Sequence, residues 1–267
     1  MSEQVAVPTL ATIIPCHNNA DTLERAIYSA LNQPELDELV IVVDGASDNS
    51  LLVAQKFAQS DPRVRAIGLA TCGGPSLARN LGAAAATTDI LCFLDADDEH
   101  LPGYYAFAKA NLAANPQWAG LKSGIQIVDL PDDLSCEDSD PRYMAAVFSA
   151  PWNLAMRRPL FWLAGGFPQG EAFRGKLGSE DTVFNTAFRE CFDVWFTPQK
   201  FCRHYNRPGS HLEVFLRRAR VVDGQIHFNE FLPEELDGSL RDATVRHVAQ
   251  AVANQSMPSL KTAANAA

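Results

Sequence analysis

The sequence predicts an α/β protein built on a mostly parallel central sheet with helices on both faces, and three features carry that expectation. Over the first 130 residues, short β-branched apolar runs alternate with longer segments of helical spacing. Two of the apolar runs end in an acidic residue, Asp44 and Asp95, at the strand edge where open α/β sheets bind ligands. Hydrophobic residues make up 47% of the 267, enough for a sizeable core.

The elements follow in order. LATIIP (10–15) reads as the first strand, ADTLERAIYSALNQ (20–33) as the first helix and ELVIVVD (38–44) as the second strand. A helix over about 48–60, a strand VRAIGLA (64–70), a helix over about 76–86 and a strand DILCFLD (89–95) come next. LPGYYAFAKANLAANP (101–116) has helical spacing, and WAGLKSGIQIVDL (118–130) reads as a further strand. PDDLSCEDSDPR (131–142) is acidic, carries two prolines and has little apolar content, so it is expected to be a loop. Beyond it lie an apolar segment MAAVFSAPWNLAM (144–156), a short helix ending at Gly165-Gly166, a helix SEDTVFNTAFRECF (179–192) entered at Ser179, and a strand VWFTP (194–198). The chain from 212 onward is expected to be helical. This divides it into a domain over 1–212, with halves at about 8–130 and 144–212, and a helical extension over 213–267.

Charge and composition exclude several classes. With 22 Lys+Arg against 32 Asp+Glu, the formal charge of -10 repels phosphates at long range and argues against nucleic-acid binding. The six cysteines, Cys16, Cys72, Cys92, Cys136, Cys191 and Cys202, form no C-x-x-C pair, and reduced thiols in a cytoplasmic protein are the simplest account. Neither a basic leader nor a run of about 18 apolar residues is visible, so no membrane span is expected, while peripheral contact with a membrane stays open.

Five stretches carry candidate chemistry. In FLDADDEH (93–100), carboxylates at Asp95, Asp97 and Asp98 can surround a hard divalent cation, which in turn can hold a diphosphate. The alternative is that Asp97 or Asp98 caps a helix beginning near Leu101. VVDGASDNS (42–50) offers Asp44 as an acceptor for a base N–H or a ribose hydroxyl, against a reading as turn plus helix cap with Gly45, Ser47 and Asp48. GGPSLARNLGAAAA (73–86) contains Arg79, able to pair with a carboxylate of the acidic cluster or with a phosphate. LGSEDTVF (177–184) sets Glu180 and Asp181 at a helix start, as a general base or simply as part of a cap. HYNRPGSHLE (204–213) supplies His204, Arg207 and His211 around a Pro-Gly turn, with the histidines as candidate further metal ligands.

Taken together, IIPCHN (13–18), VVDGASDNS, ARNLG (78–82), FLDADD, GGFP (165–168) and GSED (178–181) resemble the family 2 glycosyltransferases in order and spacing, over about residues 8–212. The resemblance implies the GT-A fold and transfer of a sugar, with inversion, from a nucleotide-diphosphate donor such as a UDP-sugar to a sugar, lipid-linked or protein acceptor, in polysaccharide or glycolipid synthesis. It implies that Asp44 contacts the base and that Pro15, Cys16, His17 and Asn18 line the nucleotide pocket. It further implies that Arg79, Asp95 and Ala96 lie at the donor, that Asp97 binds Mn²⁺ or Mg²⁺, and that Asp181, with Glu180 beside it, is the catalytic base. Two departures stand out: the chain has D-G-A-S-D where the family often reads D-D-G-S-T-D, and Arg207 where many relatives have a histidine. The competing readings are a glycosyltransferase-like protein that binds a nucleotide or partner without turnover, and a sugar-nucleotide pyrophosphorylase. The latter wants a Gly-rich basic loop after the first strand, which PCHNNAD does not provide.

Overall fold

The computed structural model describes residues 7–170, 173, 179–229 and 239–256. An eight-stranded sheet runs through it, formed by β1 (Leu10–Cys16), β2 (Glu38–Asp44), β3 (Val64–Leu69), β4 (Ile90–Phe93), β5 (Glu99–His100), β6 (Gly120–Val128), β7 (Leu154–Arg157) and β8 (Val194–Tyr205). The spatial order is β3-β2-β1-β4-β7-β6-β8-β5. The β3-β2-β1-β4 half is parallel throughout, β7 runs antiparallel to both its neighbours, and β6 and β8 are again parallel. Strand order therefore reverses between β1 and β4, and the crevice beyond their C-terminal ends is a topological switch point.

Strands β1, β2 and β4 read as nearly continuous apolar runs because both faces are covered, while the edge strand β3 is only partly buried. Leu10, Ile14 and Cys16 of β1 join the core under α1 (Ala20–Leu31) and α4 (Tyr104–Ala114), while Ala11 and Ile13 join the core under α3 (Pro75–Ala85). The small residues of α3 let it lie close to the sheet: a Cβ on Gly82 would sit 2.3 Å from Ile13 Cγ2. Helix α2 (Ser50–Ser60) covers the outer strands.

The second half departs from expectation in ways that matter for the site. Strand β4 stops at Phe93, before Asp95, and Glu99–His100 form the short strand β5 against β8. Helix α4 starts at Tyr104, behind Gly103 at φ 87°, so neither Asp97 nor Asp98 caps it. The segment expected as one apolar stretch is a helix, α5 (Pro141–Ser149), followed by β7, with α6 (Arg158–Leu163) directly after. Strand β8 continues well past Pro198 to Tyr205, and the ladder to β6 shifts register around Ser123 and Gly124. After α7 (Glu180–Cys191) and α8 (His211–Arg218), a hairpin of β9 (Ala219–Val222) and β10 (Gln225–Phe228) replaces the expected helix. Its Asp223-Gly224 turn, with φ 51° and 75°, has the two positive φ values of a tight hairpin. The expected C-terminal helix is α9 (Ser239–Ser256), which packs on α7. The parts of that extension over 230–238 and 257–267, and Leu177 and Gly178 of LGSEDTVF, lie outside the described residues. Among the described residues no helix is long and apolar enough to cross a membrane.

Candidate active site

At the switch point lies a cavity of about 250 Å³. Pro15, Cys16, His17, Asp44, Arg79, Asp95, Ala96 and Asp97, all expected at a nucleotide site, line this one cavity. Asn18 does not line it. Its φ of 52° turns the side chain outward, where Oδ1 accepts the Ser47 N–H at 2.8 Å, and Asn19 faces the cavity in its place.

Asp44 ends β2 and is 3% exposed. Its Oδ1 accepts the Gly73 N–H at 2.8 Å and its Oδ2 the Gly74 N–H at 2.7 Å, with the Cys72 thiol 3.3 Å from Oδ2. The loop before α3 is thereby folded against the β2 end, and Gly45 at φ 59° makes the approach possible, since a Cβ there would lie 2.3 Å from the Cys72 nitrogen. Two carboxylate oxygens carry more acceptor capacity than two N–H groups use, so Asp44 retains capacity for a ligand donor. His17 Nδ1 donates to the Asp44 carbonyl at 2.6 Å, which fixes its tautomer and leaves Nε2 to accept from Asn18 Nδ2. Asp48 is structural, for it accepts the Ala20 and Ser50 N–H groups, each at 2.9 Å, and joins the starts of α1 and α2.

Arg79 is the hub. Buried on α3, it donates through Nη2 to Asp95 Oδ1 at 2.8 Å and through Nη1 to Glu180 Oε1 at 2.9 Å. The next residue, Asn80, donates to the Phe167 carbonyl and accepts the Phe167 N–H, both at 2.8 Å, so the Gly165-Gly166-Phe167 turn is held to the same helix. Phe167 in turn lies beneath the Arg79 guanidinium. Three of the sequence motifs thus converge on α3.

At the start of α7, Ser179 takes φ 65°, an unusual backbone for a non-glycine residue. Glu180 is committed to Arg79. The Asp181 carboxylate instead accepts its neighbour's N–H, from Thr182, at 2.6 Å, and burial, reinforced by Glu180, pushes its pKa up to about 6. Such a carboxylate is a poised proton acceptor.

The acidic cluster splits by role. Asp95 pairs with Arg79, and Asp97 forms an ion pair with Arg207. Burial, with Asp95 nearby, raises the Asp97 pKa, while Arg207 and His204 oppose that rise. Asp98 is fully buried and faces His204 Nδ1 at 3.0 Å, and it also accepts the Tyr205 N–H at 3.1 Å. His204 stacks on Trp152 and its Nδ1 belongs to Asp98 rather than Asp97. His211 is exposed at the first turn of α8, where Ser210 caps the helix. Among the described residues no three His, Cys, Asp or Glu side chains converge to hold a metal by themselves.

Sequence reasoning missed Arg25, which donates to the Asp97 carbonyl and lies 3.6 Å over the Tyr205 ring. It also missed the Cys72–Gly74 loop and Lys122, whose partners lie far away along the chain.

A doubly covered sheet with a carboxylate-lined cavity at its switch point, whose Arg79 ties Asp95 to Glu180 of the second half, is an α/β protein of the GT-A class. Similarity to known proteins points the same way. Residues 11–111 match the family described as Glycosyl transferase family 2. The succinoglycan biosynthesis protein ExoU of Rhizobium meliloti (strain 1021) is 34% identical over 125 residues, covering 46% of this chain and 35% of that protein. The uncharacterized glycosyltransferase YibD of Escherichia coli (strain K12) is 38% identical over 97 residues, 36% of this chain and 28% of that one. The chain thus spans about a third of the length of these curated relatives. In fold, it matches the crystal structure of S. aureus TarS 1-349 in complex with UDP-GlcNAc with a TM-score of 0.67 over 93% of this chain and 68% of that one, at 16% identity.

Proposed function

We propose that the protein is an inverting glycosyltransferase that moves a sugar from a UDP-sugar to an acceptor hydroxyl. One observation carries the reading: Arg79, which lines the cavity with Asp44, Asp95 and Asp97, ties Asp95 to Glu180, and the residue after Glu180 is Asp181, a carboxylate with a raised pKa; neither α7 acid lines the cavity itself. The crystallised relative TarS, in complex with UDP-GlcNAc, supports a uridine nucleotide in that cavity.

In this reading Asp44 accepts from the base, and the chain at Pro15–His17 and Asn19 walls the nucleotide. Asp95, held in one orientation by Arg79, accepts from ribose or sugar hydroxyls. Asp181 takes the proton of the acceptor hydroxyl as that oxygen attacks the anomeric carbon from the face opposite the diphosphate. A single displacement inverts the configuration and needs no second nucleophilic carboxylate.

A divalent cation fits the residues present in one form only. A closed protein cage does not fit, since the described residues offer no three converging ligands. A Mg²⁺- or Mn²⁺-type site completed by phosphate oxygens and water does fit, because it asks for one or two carboxylates, and Asp97 lines the cavity with a charge that burial leaves short of compensation. Bound there, such an ion would supply positive charge to the departing diphosphate. Arg207, now paired with Asp97, is placed to turn to the same phosphates. The acceptor half, about residues 144–212, completes the domain in this proposal, and residues 213–267 extend it.

The test is a thermal-shift series with UDP and UDP-sugars, with and without Mn²⁺, alongside assays of transfer and donor hydrolysis. Specific binding at a hundredfold excess over Kd stabilises the native state by about 2.7 kcal/mol. Stabilisation by UDP with turnover of at least one donor is the expected result. Stabilisation without turnover of any donor points to a silent nucleotide-binding protein, and no stabilisation by any nucleotide removes the proposal.

A further inference from the structure

Lys122 lies on β6, fully buried, and among the described residues no carboxylate pairs with its Nζ. Its Nζ instead reaches three neutral oxygens: the Ala150 carbonyl at 2.7 Å, Asn153 Oδ1 at 2.9 Å and Asn185 Oδ1 at 3.0 Å. Three acceptors need three donors, and only the ammonium form has them, since a neutral amine offers two N–H groups and a lone pair. A buried charge without a counter-ion is costly to keep, so its retention calls for a role.

That role follows from what the third oxygen belongs to. Asn185 sits one helical turn after Asp181 and is 1% exposed. With Oδ1 held by Lys122, its Nδ2 must face the other way, and it donates to the Asp181 carbonyl at 2.9 Å and to the Ser149 carbonyl at 2.8 Å. The amide thus clamps the first turn of α7 to the end of α5. The same turn carries Asp181, enters through the positive-φ Ser179, and is held by Arg79 through Glu180.

Resting on the reading of Asp181 as the base, we propose that the Lys122 ammonium is a positioning residue for catalysis, fixing Asp181 through the Asn185 amide. It touches neither donor nor acceptor. The charged and titratable groups that face it are Arg189 and Asp181 from α7 and Cys202 from β8, while the chain before β7 and after α5 presents only the neutral Asn153 and Ala150 groups. Burial, with Arg189 adding to it, lowers the Lys122 pKa to about 7. Above that pH the amine lacks one of its three donors, and the clamp on Asn185 weakens. The transfer reaction therefore has an alkaline limb set by Lys122, separate from the acid limb set by Asp181.

The experiment compares wild type, Lys122→Met and Asn153→Asp by backbone hydrogen exchange of residues 180–185 at pH values from 6 to 9, corrected for intrinsic exchange, together with UDP affinity and kcat. In wild type, exchange in this turn accelerates at least fivefold as pH rises through the Lys122 transition. Lys122→Met shows the fast exchange at every pH, binds UDP within twofold of wild type, and loses 10- to 100-fold in kcat. Asn153→Asp places a carboxylate on the ammonium while leaving the Asn185 amide intact, and the alkaline transition moves up by at least one pH unit. A folded Lys122→Met protein with wild-type exchange and kcat overturns the proposal. If that variant does not fold, an alkaline transition unmoved in Asn153→Asp overturns it. The exchange measurement needs no turnover, so a wild-type protein that binds no nucleotide would sink the glycosyltransferase reading and leave the clamp to be judged separately.

Discussion

Arg79 Nη1 lies 2.9 Å from Glu180 Oε1, joining residues 101 apart in sequence across the two halves of the chain. The other end of the same guanidinium holds Asp95, so one cation spaces two carboxylates from different strand–helix units. Burial favours loss of its charge, but the two carboxylates outweigh it and leave Arg79 more firmly protonated than a free arginine. The distance between the switch-point cavity and the Asp181 turn is in this way fixed by a rigid planar group rather than by a loop.

Arg79→Lys tests that geometry. A lysine offers a point charge that serves one carboxylate well, leaving the other, buried Glu180 or half-exposed Asp95, short of a partner. Breaking a buried pair from one side costs about 3–5 kcal/mol, measurable in urea unfolding. Misplacement of the base by roughly 1 Å costs about a hundredfold in rate, so kcat should fall by about that factor while the fold persists. A variant with wild-type stability and rate would show that the bridge spaces nothing.

Gly82→Ala tests the close seat of α3. The new Cβ would stand 2.3 Å from Ile13 Cγ2 in the middle of β1, and overpacking of this kind costs about 1–3 kcal/mol. A double-mutant cycle with Ile13→Ala should give less destabilisation than the sum of the two single changes, because the second removes the methyl that the first strikes. Strict additivity would place the strain elsewhere.

The parallel half was legible because β1, β2 and β4 are buried on both faces and the candidate site residues sit where the apolar runs stop. Asp44 and Asp95 announce themselves as charges at the ends of ELVIVVD and ILCFLD. The second half hides the same information. Strand β7 has only four residues and β8 is broken by Pro198 at its register shift, so neither shows a period long enough to read. Lys122 interrupts an apolar strand and reads as a solvated residue, since Asn153 and Asn185, which accept from it, are 31 and 63 residues away. Asn18 and Asn19 are adjacent and equally polar, and only the positive φ at Asn18 decides which one faces the cavity.

Asp44→Asn should release the loop before α3. The carboxylate uses a separate oxygen for each of the Gly73 and Gly74 N–H groups, whereas an amide has one oxygen and sets its own N–H₂ against the other donor. An unpaired buried donor costs about 1–3 kcal/mol, and UDP affinity measured by calorimetry should drop at least tenfold. Unchanged affinity would separate this loop from the nucleotide.

Asp97→Ala should abolish the Mn²⁺ dependence of UDP binding while leaving Arg207 free to meet the phosphates. Residual binding is then expected to be metal-independent and steeply weakened by salt, as an exposed arginine–phosphate contact is screened within about 10 Å at 0.1 M. Titrations with and without chelator distinguish the two forms. Mn²⁺-dependent binding of wild-type strength in the variant would remove Asp97 from the metal proposal.

Asp181→Asn should stabilise the protein as it silences it. The folded state raises the Asp181 pKa to about 6 from an ordinary 3.8, so between these values it keeps a proton that the unfolded chain has released. Native stability from this group is therefore greatest below pH 4, falls as pH rises toward 6, and stays reduced above that. Asparagine carries no charge to desolvate, and the variant should gain on the order of 1–3 kcal/mol relative to wild type at pH 7.5, with the gap closing near pH 4. Wild-type kcat/KM should climb through about pH 6 as the carboxylate ionises, because only that form accepts the acceptor's proton. A gap in melting temperature equally wide at pH 4 and 7.5 would mean that the carboxylate is not held in the proton-accepting state that the reaction requires.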